Sequence, residues 1–385
     1  MSFRRELDPG GRGASAFLFG PRMTGKTTLL RRLPVAAFFD LLDPRLELVY
    51  RAHPERFQEE IAALPKGAVI VVDEVQRVPA LLDYVQMGID RRDQIFLLSG
   101  SSARKLRRGQ ANLLGGRALD LRLHPLSVRE IGTRFDLQQS LQFGTLPKIA
   151  TLLRDGKEDL ARGLLASYVT TYLKEEIQAE ALTRNLGAFQ RFLAVAGQGN
   201  GQIIEFANVS RDCAVAASTV KEYYQILEDT LIAFFLWPFD HCERKKRRPK
   251  SFFFDCGVVR ALQNRLHDPP TPQEKGFLFE QWFVNEVRRI RDYQGKPHEF
   301  SYWREREHEV DLLVQKGNQV LMGIECKSGS ADLKAATANL FRQRFPGVPL
   351  IVASLTDSRR RRLGEGEGEV EILPWQDALD RYVHL

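Results

Sequence analysis

Residues Gly20-Pro21-Arg22-Met23-Thr24-Gly25-Lys26-Thr27 constrain the fold of this chain more than any other stretch. The apolar run Ala16-Phe17-Leu18-Phe19 precedes them and Thr28-Leu29-Leu30-Arg31-Arg32 follows. A strand, a glycine-rich loop and a helix in that order form a phosphate-binding loop. The glycines let the backbone curl until its N–H groups and the helix N-terminus face one point, where an anion is favoured. Gly20 to Thr28 would then contact the phosphates of a nucleotide such as ATP, with Lys26 reaching the β- and γ-phosphates and Thr27 holding Mg²⁺. An ordinary glycine-rich turn would not require the flanking strand and helix.

The next segments supply acids. Ala36-Ala37-Phe38-Phe39-Asp40 reads as a second strand, residues 54–64 as a helix, and Val69-Ile70-Val71-Val72-Asp73-Glu74 as a third strand. A β-branched run ending in two carboxylates suits a buried parallel strand that delivers acids to its C-terminal edge. Beside a phosphate-binding loop, Asp73 would complete the Mg²⁺ site through water, and Glu74 would orient and deprotonate an attacking water. Standing alone, the same segment would be a strand ended by a capping Asp. Gln94 to Ser102 reads as the next core strand, and its polar end puts Ser101 where a side chain could meet the γ-phosphate or the water. A helix over 103–114 is expected to stop at Gly115-Gly116-Arg117.

Taken in order, GPRMTGKTTLL, VIVVDEVQ, FLLSGSSARKL, GGRALDLRLHPLSVRE and GTLPKI make the chain resemble the AAA-type ATPases that carry a C-terminal DUF4143 region. The resemblance runs over nearly the whole chain and implies ATP and Mg²⁺ as cofactors. It also implies a homo-oligomer, such as a hexameric ring, in which Arg117 would reach the nucleotide of a neighbour and stabilise charge on the transferred phosphoryl group. Pairing of Arg117 with its own helix terminus accounts for that residue equally well.

Residues 135–200 read as helical, with apolar pairs at helical spacing from Leu164 to Ile177, and would form a lid over the nucleotide. From Ile203 the units shorten. A helix near 208–214, a turn at Ala216-Ala217 and a helix from Ser218 to Leu227 suggest a helix-turn-helix. Two apolar runs, 230–239 and 251–255, then flank a tip containing Arg244, Lys245, Lys246, Arg247, Arg248 and Lys250. Such a hairpin resembles the wing of a winged helix, and its six basic residues would neutralise DNA phosphates. A hairpin kept soluble by its charge would look the same.

Farther on, Gln273 to Val287 reads as a helix that begins after Pro272. Phe277, Glu280, Val284 and Val287 share one face, so Glu280 interrupts an apolar stripe. A carboxylate buried there calls for a metal, a lysine or a hydrogen-bond network, whereas a Glu at the stripe's edge needs none. Strands over 308–314 and 320–327 are joined by a turn at Lys316-Gly317-Asn318, and their pairing can bring Asp311 beside Glu325. Glu325 and Lys327, two apart, share a face. Glu280, Asp311, Glu325 and Lys327 together resemble the PD-(D/E)XK nuclease fold, with Val310 where the strict motif has Pro. The resemblance implies that Asp311 and Glu325 hold Mg²⁺, that Lys327 positions water or stabilises the phosphate, and that Glu280 completes the charge around the metal. A fold does not by itself establish cleavage. A helix over 331–345 and a strand over 348–353 are expected to follow.

The expected class is therefore α/β. An AAA-type core occupies 1–134, a helical lid 135–200, a winged-helix-like segment with its basic hairpin 201–258, and an α/β nuclease-like domain 259–385. The net charge of +7 favours a polyanionic partner, and further basic runs stand at 104–108 and 359–362. Four cysteines without metal spacing read as reduced thiols of a cytoplasmic protein, and no run is long and apolar enough for a membrane. These readings combine into ATP hydrolysis coupled to the binding and remodelling of DNA, branched forms included. RNA would satisfy the same basic charge. The rival readings are an ATP-dependent regulatory switch with a C-terminal interaction module, and a metal-dependent endonuclease licensed by ATP.

Overall fold

The computed structural model describes residues 3–100, 114–172, 186–239, 248–330, 333–363 and 370–385. The chain forms two compact units: one of residues 1–132, 146–148 and 226–232, the other of 133–145, 149–225 and 233–385.

The first unit holds a five-stranded sheet of β1 (Ser15–Phe19), β2 (Ala37–Asp40), β3 (Val69–Asp73), β4 (Ile95–Gly100) and β5 (Ala118–Arg122), in the order β2-β3-β4-β1-β5. Every pair is parallel. Parallel strands are covered on both faces, which is why β1, β3 and β4 are continuous apolar runs. Phe39, Tyr50 and Phe57 meet edge to face in the core, with ring centroids 4.9 to 6.0 Å apart. Each such buried ring contributes roughly 1.5–3 kcal/mol by area. Gly88 in the helix Leu81–Arg92 lets that helix close on the sheet, since a Cβ there would lie 2.8 Å from the Phe96 ring. Because β4 lies between β1 and β3, the C-terminal ends of all three reach one edge of the sheet. The phosphate-binding loop and the acids are thereby brought to that edge, and ligands bind at such an edge in α/β sheets.

The second unit is built on an eight-stranded mixed sheet in the order β12-β13-β11-β10-β9-β8-β6-β7. Its strands are β6 (Ala233–Pro238), β7 (Lys250–Phe253), β8 (Glu299–Glu305), β9 (His308–Lys316), β10 (Gln319–Lys327), β11 (Leu350–Ser354), β12 (Arg361–Leu363) and β13 (Val370–Pro374). The helix Pro272–Gln294 starts with a capping box of Thr271 and Glu274 and stops at Gly295, whose φ is 65°. On its buried side Trp282 stacks on Phe135 and meets Trp375 edge to face. The apolar stripe read from the sequence thus becomes an aromatic core.

β6 and β7 pair as an antiparallel hairpin, as the two apolar runs require. However, β6 also runs parallel to β8, with Trp237 opposite Ser301 and Pro238 opposite Tyr302. The hairpin is thus the end of the C-terminal sheet, which continues across the expected boundary at 258/259. An unpaired β8 would leave a row of N–H and C=O groups open, and β6 covers it.

Candidate functional site

The phosphate-binding loop is shaped by close approaches of backbone. A Cβ on Gly20 would lie 2.4 Å from the carbonyl of Leu123, and Gly25 has φ 94°, where a side chain is strained. Met23 also adopts a left-handed φ of 66°. The helix that follows, Lys26–Leu30, has only five residues, so its dipole is small and the loop's own N–H groups carry most of the anion preference. Lys26 is buried, and its ammonium donates to the carbonyls of Gly20 at 2.7 Å and Pro21 at 3.3 Å. Phosphate oxygens would offer the same ammonium charged acceptors in place of those carbonyls. Thr24 Oγ1 donates to Pro21 O at 2.8 Å and closes the loop, Thr27 is half-buried, and Thr28 faces solvent.

Asp73 ends β3 fully buried. Its Oδ1 accepts from the Ser99 hydroxyl on β4, and the same hydroxyl accepts from the Glu74 amide at 3.0 Å. Asp73 Oδ2 has no hydrogen-bond partner among the described residues. A buried, unpartnered carboxylate oxygen at this edge fits a Mg²⁺ site built with Thr27, the ion supplying positive charge for the phosphates. Glu74 sits at φ 58°, a strained value for a non-glycine residue, and accepts from the Gln76 side-chain amide. Ser101 lies outside the described residues. Arg117 is a surface residue whose Nε donates to Asp90 Oδ1 at 2.7 Å, an exposed ion pair that lowers the Asp90 pKa through that hydrogen bond.

Sequence reasoning missed Arg5. Its guanidinium donates to Thr24 O at 2.7 Å, to His124 O at 2.6 Å and to Glu130 Oε1 at 2.8 Å, so the N-terminal segment braces the loop against the residues after β5. No periodicity marks that segment, and a single Arg in a charged N-terminus carries no signal. Ser99, two residues before Ser101, could have been found from the register that sets it beside Leu18 of β1.

In the second unit the β9–β10 ladder pairs Leu312 with Ile324, so Asp311 comes to the Glu325–Cys326 step. The Cys326 amide donates to Asp311 Oδ2 at 2.9 Å, and Lys327 Nζ lies 2.7 Å from Glu325 Oε1. Glu280 reaches the same place from its helix. The four residues singled out from the sequence therefore converge, joined by Glu309 and by a residue assigned elsewhere, Lys250.

Lys250, expected among the DNA-contacting residues of the hairpin tip, is 4% exposed and turned into this cluster. Its ammonium lies 2.6 Å from Glu309 Oε1, 2.8 Å from Glu280 Oε1 and 3.3 Å from Asp311 Oδ1. As part of β7 it belongs to the sheet, which takes it away from a basic surface. Of the other basic residues at the tip, Arg244, Lys245, Lys246 and Arg247 lie outside the described residues. Arg248 is exposed and pairs with Glu205. Inclusion of Lys250 in a charged run hid it, and its place at the head of the apolar strand Ser251-Phe252-Phe253 was the available clue.

Burial pushes the carboxyls of Glu280 and Glu325 up to about 8, and the nearby Asp311 charge adds to this. Burial works against the Lys250 ammonium, yet Glu280, Asp311 and Glu309 outweigh it and hold its pKa well above the usual lysine value. Among the described residues no three acidic, His or Cys side chains form a group that could hold a metal ion. The expected Mg²⁺ on Asp311 and Glu325 does not fit this arrangement, because the Lys250 ammonium stands on Asp311 Oδ1 and Lys327 on Glu325 Oε1.

Comparison with known proteins matches three stretches of the chain. An AAA domain model matches residues 13–132, a domain of unknown function, DUF8612, matches 134–268, and the domain of unknown function DUF4143 matches 275–368. Uncharacterized proteins of Mycobacterium tuberculosis and Mycobacterium bovis are each 26% identical over 357 residues, covering 87% of this chain and 77% of theirs. Among solved structures, the Aeropyrum pernix ORC1 protein in complex with DNA aligns with 67% of this chain and 87% of its own, at 14% identity and a TM-score of 0.28. No described helix is long and apolar enough to cross a membrane. The phosphate-binding loop lies inside the first match, and Glu280, Glu309, Asp311, Glu325 and Lys327 lie inside the last, so the chain carries an AAA domain followed by a DUF4143 domain.

Proposed function

We propose that this chain is a Mg²⁺-dependent ATPase whose turnover is coupled to the binding and rearrangement of DNA. The observation that carries the catalytic part is the convergence of Lys26, Asp73, Glu74 and Ser99 at one edge of a parallel sheet. In this reading Lys26 and the loop amides bind the β- and γ-phosphates, Thr27 and Asp73 hold the ion, and Glu74 aligns and deprotonates water. Arg117 completes the site of a neighbouring copy, exchanging Asp90 for the transferred phosphoryl group.

The DNA part rests on charge. The runs 104–108, 244–248 and 359–362 concentrate cations on a chain of net charge +7. Arg248 is exposed, as are Arg360 and Arg361, which pair with Asp377 and Asp357. Phosphates can replace the carboxylates on these exposed arginines, because surface pairs are worth only about 0–1 kcal/mol.

The test is the steady-state ATPase rate with Mg²⁺, alone and with single-stranded, duplex or four-way-junction DNA, at two salt concentrations. Salt-sensitive stimulation by one DNA form, abolished in Lys26→Ala and Glu74→Gln, is the expected result. Turnover indifferent to every DNA, with nucleotide-dependent assembly, would instead establish the regulatory switch.

A further inference from the structure

The Lys250 ammonium donates to Glu280 Oε1 and Asp311 Oδ1 and forms an ion pair with Glu309 Oε1. Glu280 comes from the helix Pro272–Gln294, and Glu309 and Asp311 come from one face of β9. Their three oxygens lie 2.6, 2.8 and 3.3 Å from a single nitrogen that is closed from solvent. Convergent carboxylate oxygens are also what a hard divalent cation would need here. A lysine ammonium already occupies their centre.

From this geometry we infer that Lys250 is the permanent internal cation of the C-terminal carboxylate cluster, standing where a divalent metal would sit, and that the DUF4143 domain closes without a metal ion. The inference concerns the second unit alone and does not depend on the ATPase reading.

Three observations support it. A divalent ion on Asp311 Oδ1 would stand within a few ångströms of the Lys250 ammonium, and at an effective dielectric of about 20 such repulsion amounts to several kcal/mol. Moving Lys250 aside would leave a buried ammonium without partners, which costs at least as much. Finally, a second ammonium, Lys327 Nζ, stands 2.7 Å from Glu325 Oε1, so the carboxylate that would share an ion with Asp311 is itself paired with a cation. Metal-dependent cleavage of a phosphodiester is therefore not a property of this domain as built. Its use is binding.

The test counts Mn²⁺ bound by the nucleotide-free full chain, by loss of the free-ion electron paramagnetic resonance signal, in the wild type, Asp311→Asn, Lys250→Met and the double variant. Differences between variants cancel any ion held at the phosphate-binding loop. Wild type and Asp311→Asn should bind equal numbers of ions. Lys250→Met should gain one ion per chain, at least tenfold tighter than any site in the wild type, and lose it again in the double variant. One ion more on the wild type than on Asp311→Asn would overturn the inference, even if Lys250→Met does not fold. So would a folded Lys250→Met that gains no ion.

Discussion

The Ser99 hydroxyl donates to Asp73 Oδ1, and the same oxygen accepts from the Glu74 amide at 3.0 Å, so one side chain of β4 fixes both acids at the end of β3. Ser99→Ala leaves a fully buried carboxylate with neither oxygen partnered among the described residues. An unsatisfied buried acceptor costs about 1–3 kcal/mol. Chemical denaturation of Ser99→Ala should show that loss. ATP turnover should fall by about tenfold or more while nucleotide affinity changes less, since in the proposed mechanism Asp73 and Glu74 act on the reaction and Lys26 on binding. Ser99→Thr, which keeps the hydroxyl, should retain most of both.

Gly20→Ala should disable the loop. The new Cβ would meet Leu123 O at 2.4 Å and Thr24 Oγ1 at 3.1 Å, and the first is backbone that already donates Leu123 N to Phe19 O at 2.7 Å. Overpacking of this kind costs about 1–3 kcal/mol. Weaker binding of a fluorescent ATP analogue and a lower denaturation midpoint are expected together. Gly163→Ala gives the contrast, because that glycine lies in the helix Glu158–Ser167 with nothing within 4 Å of the added methyl. It should stabilise by about 0.5–1 kcal/mol.

Arg5→Met should weaken nucleotide binding although Arg5 lies outside the loop. It removes donors from the carbonyls of Thr24 and His124 and strands Glu130, whose side chain is buried. Breaking a buried pair by removing one partner costs about 3–5 kcal/mol. Glu130 keeps the amides of Glu6 at 2.8 Å and Ser127 at 3.1 Å, so the lower end of that range is expected in denaturant unfolding. Adding Glu130→Gln should recover part of the stability but not the affinity, because the bracing of Thr24 is not restored.

The carboxylate cluster sets a pH dependence with a definite sign. Glu280 and Glu325 have folded pKa values raised to about 8, so between their unfolded value near 4.5 and pH 8 the folded chain holds more protons than the unfolded one. Stability from this pair is then present at low pH and falls as pH rises through that window, by at most about 1.4 kcal/mol per pH unit for each proton. Thermal unfolding of the full chain should show the DUF4143 transition lower at pH 8 than at pH 6. In Glu325→Gln, which has no proton to release, that difference should shrink.

How far the sequence disclosed these sites depended on whether a residue obeyed a period. Asp73 and Glu74 follow a β-branched run, and Asp311, Glu325 and Lys327 follow strand alternation, so strand and face could both be assigned. The turn at Gly317, with φ 57°, likewise announced the β9–β10 hairpin. Lys250 broke the rule because a charged run and a strand overlap there, and charge pointed to the surface while strand membership pointed inward. The pairing of β6 with β8 joins residues more than 60 positions apart through only two registered pairs, and no local pattern encodes that. Arg5 acts on two carbonyl oxygens, which every residue has, and on Glu130 125 positions away, a separation that no local pattern encodes.

The role of Arg117 separates an assembled ATPase from a single-chain one. Arg117 follows Gly115-Gly116 at the surface and is held by Asp90 in an exposed pair and by the Gly115 carbonyl at 3.3 Å. Asp90→Asn should therefore leave turnover nearly unchanged, and Arg117→Ala should reduce it by about a thousandfold if the guanidinium acts on the transferred phosphoryl group. Mixing decides whether it acts on a neighbour. Arg117→Ala and Glu74→Gln should each be inactive alone. In an equal mixture, a site formed by the intact Glu74 of one copy and the intact Arg117 of the next occurs in about a quarter of the interfaces of a cyclic assembly. Recovery of about a quarter of the wild-type rate would establish a shared site. Absence of recovery in a mixture shown by light scattering to assemble would place Arg117 in service of its own chain.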